Sequence, residues 1–184
     1  MKSIDILMQE HRVIEHGIKV LENIVKKMEN NDNKINLEKV VMLLDFFKVF
    51  ADNCHHAKEE DILFPYLEDR GIAREGGPIG VMLFEHQEGR ELQKIMRESI
   101  LNGLNEEDKK KFIRAAYEYI NLLKQHIYKE DNVLFRMAEQ VLDNYTDNEL
   151  VSKFEDYENN NIGKDVHEYY HNFIHDLEKE FLIT

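Results

Sequence analysis

Histidine and glutamate stand four residues apart twice in this chain. The first copy is Cys54-His55-His56-Ala57-Lys58-Glu59-Glu60-Asp61-Ile62-Leu63-Phe64-Pro65, and the second is His126-Ile127-Tyr128-Lys129-Glu130-Asp131-Asn132-Val133-Leu134-Phe135. At a constant offset of 71 residues His55 aligns with His126, Lys58 with Lys129, Glu59 with Glu130, and Leu63-Phe64 with Leu134-Phe135. Ahead of each copy sits a further histidine, in Glu10-His11 and Glu85-His86, at an offset of 75. An imidazole and a carboxylate at i and i+4 share one face of a helix. So placed, they can reach one metal ion together, or two adjacent ions. The candidate ligands are His11, His55, Glu59, His86, His126 and Glu130. Mixed nitrogen and oxygen donors suit iron, manganese or zinc and argue against calcium, which takes oxygens alone. No thiolate joins the set, which argues against an iron–sulfur cluster. Six convergent donors are too many for one tetrahedral zinc, so about two ions are expected, preferably iron.

These residues must be held by helices. Ile4, Leu7, Met8, Ile14, Ile18, Leu21 and Val25 recur at helical spacing, with Ser3 a fair N-cap, and His11 and Glu15 fall in the same stripe. The pattern predicts a helix from about Ser3 to the polar turn at Asn30-Asn31-Asp32-Asn33. A second runs from about Asn36 to Asp69, with Val41, Leu44, Ala51, His55, Glu59, Ile62 and Tyr66 on its inner face and Pro65 a local kink or stop. After a Gly-rich connection, Pro78 suits the first position of a third helix, about Ile79 to Leu101. Its inner face carries Ile79, Met82, Leu83, His86 and Ile100, and Asn102-Gly103 ends it. The fourth, about Glu106 to Leu142, presents Phe112, Ala115, Tyr119, Leu122, His126, Glu130, Val133, Met137 and Val141.

Four long amphipathic helices with short connections predict an all-α, up-down-up-down antiparallel four-helix bundle over residues 1–145. Residues 146–184 read as a C-terminal helical extension packed on it, in two pieces divided by Asn159-Asn160-Asn161, with Val166, Tyr170, Phe173 and Leu177 on the packing face. Only 2 Pro and 8 Gly interrupt 184 residues, which agrees with helix throughout. The net charge of −13 argues against a nucleic-acid partner, because phosphates demand basic surface. No apolar run approaches the roughly 20 residues needed to span a bilayer. A single cysteine, Cys54, and no visible signal peptide predict a reducing, cytoplasmic setting.

The order H…HxxxEE…H…HxxxE over about residues 1–142 resembles the hemerythrin-like proteins, also called the HHE cation-binding domain. The resemblance implies a non-haem di-iron centre with carboxylate and oxo or hydroxo bridges, with manganese or zinc as substitutes, held by His11, His55, Glu59, His86, His126 and Glu130. It implies a protein that binds dioxygen or nitric oxide, or senses redox or iron state. The alternative is a di-iron oxidase or peroxidase, or an iron-sulfur cluster repair or iron donor protein. Binding or sensing is the leading expectation, and sensing calls for a separate, unidentified protein partner. Iron storage of the ferritin type is disfavoured, because Glu-x-x-His occurs only at Glu168–His171, in the tail.

One departure from the oxygen carriers stands out. They place a further histidine one turn after the third-helix histidine, where this chain has Arg90. His56 is the first candidate to substitute, as an extra ligand or an outer residue, and Glu15 the second. The favoured expectation for Glu15 is an ion pair with Arg90. His16 is expected to face solvent. His167, His171 and His175 read as a solvated stripe in the tail, Cys54 as a small core residue, and Tyr66 and Tyr119 as core.

Overall fold

The computed structural model describes residues 1–30, 35–163 and 165–182, and every element among them is helical. The first helix, α1, spans Lys2–Glu29. It is followed by α2, Leu37–Phe46, whose N-cap Asn36 accepts from the Glu38 amide at 2.9 Å. From there the chain stays in right-handed helical conformation to Glu68, through two stretches of wider π-helix, π1 at Phe47–His56 and π2 at Glu59–Leu63, and then α3 at Phe64–Glu68. Pro65 does not end this rod. It lies inside the continuous helical run, at the start of α3 directly after the π2 stretch. Next comes α4, Pro78–Leu101, with Pro78 in its first turn as expected, and Gly103 beyond its end at a φ of 90°. The fourth rod is α5, Glu106–Lys129, then π3, Glu130–Leu134, then α6, Phe135–Val141. The tail forms α7, Asn144–Tyr157, π4, Glu158–Ile162, and α8, Val166–Leu182.

Side-chain bonds fix the helix directions. Glu29 meets Tyr117, Glu22 meets Lys124 and His11 meets Asp131, so α1 and α5 run antiparallel. Asp45–Arg97, Asp52–Arg90 and Glu60–His86 do the same for the α2–α3 rod against α4. Gln93–Tyr119 and His86–His126 orient α4 against α5. Glu10–His55, with Gly17 against Phe46, orients α1 against the α2–α3 rod. Helices α7 and α8 lie on α1, with Ile174, Leu177 and Phe181 buried and Tyr170 and Phe173 partly so.

The apolar core divides in two. One part gathers Ile14, Ile18, Leu21, Phe46, Phe47, Phe112 and Tyr119. The other gathers Ile4, Leu7, Leu63, Phe64, Met82, Leu134 and Phe135. His11, His55, His86 and His126 each lie in sequence between members of the two parts, so these polar residues form a belt with apolar side chains above and below.

Two expectations are corrected here. Ser3 is not the N-cap of α1. Met1 holds that position, while the Ser3 amide and hydroxyl both donate to Asp147 Oδ1, at 3.0 and 2.5 Å. The inner faces also shift after each glutamate. Leu63, Phe64 and Leu67 are buried where Ile62 and Tyr66 were expected, and Leu134, Phe135, Ala138 and Leu142 where Val133, Met137 and Val141 were expected. The cause is the π turn that opens at Glu59 and again at Glu130. Each holds one more residue than an α turn and moves the downstream face by one position.

Candidate metal centre

All six sequence-derived residues converge, and His56 joins them. His11, His55, Glu59 and Glu130 place donor atoms within 4.8 Å of one another, and so do His56, Glu59, His86 and His126. Glu59 belongs to both groups. All seven side chains are buried. Glu59 and Glu130 each stand at the first residue of a π turn. His55 and His56 close π1, and His126 lies in the last turn of α5.

Four of the five imidazoles are aimed from behind. His11 Nδ1 lies 2.7 Å from Asp131, His55 Nδ1 2.8 Å from Glu10, His86 Nδ1 2.7 Å from Glu60, and His126 Nδ1 3.0 Å from Glu85. A carboxylate can only accept, so Nδ1 carries the proton and the Nε2 lone pair faces inward. Inward is where the two glutamates are. His11 Nε2 is 3.1 Å and His126 Nε2 3.2 Å from Glu130 Oε2. His86 Nε2 is 3.5 Å from Glu59 Oε2, and His55 Nε2 3.7 Å from Glu59 Oε1. His86 and His126 also bring Nε2 to within 3.2 Å of each other. In these tautomers every such contact sets lone pair against lone pair. Ligands about 2.0–2.2 Å from one shared ion lie roughly 3–3.5 Å apart, so the spacing fits a cation between them.

The unsatisfied atoms support the same fit. Among the described residues, His11 Nε2, His55 Nε2, His56 Nδ1 and all four oxygens of Glu59 and Glu130 are buried without a hydrogen-bond partner. Orphaned buried polar atoms are rare and costly, and seven in one pocket call for an ion.

Without a metal the charges conflict. Burial pushes Glu59 well above the usual carboxylate range, and Glu130 and Glu10 add to this. For Glu130 burial acts upward too, but the His126 and His11 imidazoles outweigh it and hold the carboxyl well below that range. Burial and the neighbouring His11 press His55 down to about 3. Burial also opposes the charged form of His126, yet Glu130 and Glu85 raise it to about 9. Bound cations would let both glutamates ionise and the imidazoles stay neutral.

The outer carboxylates are themselves paired. Asp131 meets Arg12, Glu10 meets Lys58, Glu60 meets Arg90 at 2.6 Å, and Glu85 meets Lys129. Sequence reasoning gave these acids no role, although their signal was present. Glu10 and Glu85 each precede a histidine of the pattern, and Glu60 and Asp131 each follow its glutamate.

The expected Glu15–Arg90 pair does not form. Arg90 is 30% exposed and bonds Asp52 at 2.7 Å as well as Glu60. Glu15 is 39% exposed and pairs with Arg12 at 3.1 Å, away from the belt. The space beside His86 belongs to His56, whose ring stacks on it at 3.9 Å. His16 is half exposed and bonds Glu178 at 2.7 Å. His171 and His175 are exposed, and the His167 side chain lies outside the described residues. Cys54 is buried, and burial pushes its thiol up to about 12. The Tyr66 hydroxyl goes to Glu149 and the Tyr119 hydroxyl accepts from Gln93.

The sequence model of the family described as the hemerythrin HHE cation binding domain matches residues 2–138. The chain belongs to this family. Its match includes every candidate ligand and stops before α7 and α8. Among curated relatives, the Iron-sulfur cluster repair protein YtfE of Edwardsiella ictaluri (strain 93-146) is 40% identical over 88 residues, 46% of this chain and 40% of the relative. The YtfE proteins of Salmonella schwarzengrund (strain CVM19633), 38% identical over 89 residues, and Escherichia coli O1:K1 / APEC, 36% over 88, cover the same shares. The chain thus spans about two fifths of the length of the curated relatives it matches. No solved structure matches significantly. Among the described residues, no helix is long and apolar enough to cross a membrane.

Proposed function

We propose that this hemerythrin-family chain holds two iron ions in an up-down-up-down four-helix bundle, residues 1–145, carrying a C-terminal extension, and that it binds dioxygen or nitric oxide or reports redox or iron state. One ion would be held by His11, His55, Glu59 and Glu130, the other by His56, His86, His126 and Glu59, the residue common to both groups. The observation that carries this reading is the set of four imidazoles whose Nδ1 atoms are tied to carboxylates and whose Nε2 atoms face two unsatisfied glutamates. Antiparallel pairing of successive helices supports the bundle. Iron, when bound, supplies the Lewis acidity and electron exchange that a diatomic ligand requires. The protein supplies the rest. Five neutral imidazoles against two carboxylates disfavour high-valent metal and favour reversible binding, and the apolar layers on both sides keep bulk water out.

Anaerobic loading with ferrous iron, followed by exposure to dioxygen or nitric oxide, tests this. The expected result is about two irons per chain and an optical change that reverses on degassing. Uptake of at most one ion sinks the di-metal reading. Irreversible oxidation with consumption of peroxide replaces binding by an oxidase or peroxidase activity. The names of the curated relatives favour a second reading, repair of iron–sulfur clusters by iron donation. Transfer of iron from the loaded chain to a protein with a damaged cluster, with recovery of its activity, would select it.

A further inference from the structure

The extension beyond α6 lies outside the family match, yet one of its side chains ends a line of contacts that begins at a candidate ligand. His55 Nδ1 meets Glu10 Oε2 at 2.8 Å. The other oxygen of Glu10 accepts from Lys58 Nζ. Lys58 Nζ donates as well to Glu158 Oε1 at 2.6 Å. Glu158 opens π4, directly after α7. Lys58 has no exposed surface, and its ammonium lies 5.7 Å from the centre of the Phe154 ring. The same stretch of the extension is fastened nearby, where the Tyr157 hydroxyl donates to the Asn53 carbonyl at 3.0 Å. The second half of the repeat carries the matching line, His126 to Glu85 to Lys129, but there the lysine is 34% exposed.

A buried ammonium is costly unless paired, and two carboxylates share this one. Removing Glu158 leaves Glu10 to compensate Lys58 alone, which alters the hold of Glu10 on His55. Groups that orient a ligating imidazole in this way commonly change metal affinity 10–100-fold when lost. A groove between α1 and the extension, lined by Glu10, Arg12, Val13, Phe154 and Glu158, reaches the Glu158 end of this line, while Lys58 and Glu10 stay buried.

We propose that Glu158 and Lys58 are positioning residues through which the C-terminal extension holds His55, and so governs how firmly the ion among His11, His55, Glu59 and Glu130 is retained. The ion among His56, His86, His126 and Glu59 shares only Glu59 with that site and lies off this line of contacts. This rests on the di-metal reading above. It is tested on the full chain loaded anaerobically with two equivalents of ferrous iron and then mixed with excess ferrous chelator. Release is expected in two phases. Glu158→Gln and Glu158→Ala should accelerate one phase about tenfold and leave the other unchanged. Lys129→Ala should accelerate the other phase. Glu149→Gln, which frees the extension from Tyr66 instead, should change neither. Lys58→Met combined with Glu158→Ala should release no faster than Lys58→Met alone, since both act along one line. Should Lys58→Met not fold, the two Glu158 variants still decide. Unchanged release in both, equal acceleration of the two phases, or an equal effect from Glu149→Gln overturns the proposal. A wild-type chain that takes up one ion overturns the di-metal reading instead, and Glu158 is then judged on the release of that single ion.

Discussion

The two halves of the repeat build the same motif against different surroundings. In each, an acid before one histidine receives the other histidine of its half: Glu10 takes His55, and Glu85 takes His126. In each, the acid after the glutamate crosses to the opposite half: Glu60 takes His86, and Asp131 takes His11. The halves then diverge. His56 has Ile127 as its counterpart, so one half supplies three imidazoles and the other two. Lys58 is sealed under the extension while Lys129 reaches solvent. The repeated residues set the shape of the pocket, and the unrepeated ones make its two four-residue groups unequal.

The harshest test of that division is Glu59, which both four-residue groups share. Glu59→Ala should abolish binding of both ions, whereas His56→Ala should cost one. His16→Ala and His175→Ala should cost none. Elemental analysis of purified protein distinguishes these, and equal metal content across the four variants would break the assignment. Next is metal removal. Ligands from both halves are tied together only in the folded state, so metal in roughly 1,000-fold excess over its dissociation constant adds about 4 kcal/mol. For a chain of this size that is about 8–16 °C in Tm. A melting curve indifferent to a chelator would show that the halves are not joined through metal.

Acid separates the halves in the metal-free protein. Burial raises the Glu10 pKa, but Lys58 and His55 outweigh it and bring it to about 2 from an ordinary 4.5. A depressed carboxyl stabilises the fold above its unfolded pKa, and that contribution is lost as pH falls through the folded one. Glu10 should therefore contribute of order 3 kcal/mol at neutral pH, lost between about pH 4.5 and 2. Glu10→Gln should flatten this part of an acid unfolding curve. Glu85→Gln should do so less, because Glu85 is partly exposed and water screens it.

The smallest effects concern two buried glycines. A Cβ on Gly17 would come within 2.6 Å of Phe46, whereas one on Gly89 would meet Tyr119 at an ordinary 3.5 Å. Gly17→Ala should cost about 1–3 kcal/mol through overpacking. Gly89→Ala should gain up to about 1 kcal/mol from helix propensity. Denaturant titration reads both, and destabilisation of similar size would show that the second half is packed as tightly as the first.

The convergence of the six candidate side chains was legible because chemistry imposes it locally: an imidazole and a carboxylate one turn apart leave the same trace in any helix. The helix ends at Asn36, Pro78 and Asn102-Gly103 were legible for the same reason. The π turns were not. The spacing from His55 to Glu59 is compatible with α and π geometry alike, and the choice falls to packing across the rods. That is why Ile62 and Val133 were assigned to the inside and found nearer the outside. The outer acids were hidden differently. Glu60 and Asp131 look like ordinary surface charges until the helix that receives them is in place. Glu15 misled because its stripe holds near His11, where Arg12 draws it outward instead.

The clasp between Ser3 and Asp147 spans 144 residues. Every candidate metal ligand lies before Asp147 in the sequence. On a ribosome, at about 5–20 residues per second, the start of α1 waits roughly 7–30 s for its partner to be synthesised. Within this sequence the ligand-bearing rods thus emerge before the segment that clasps the start of α1.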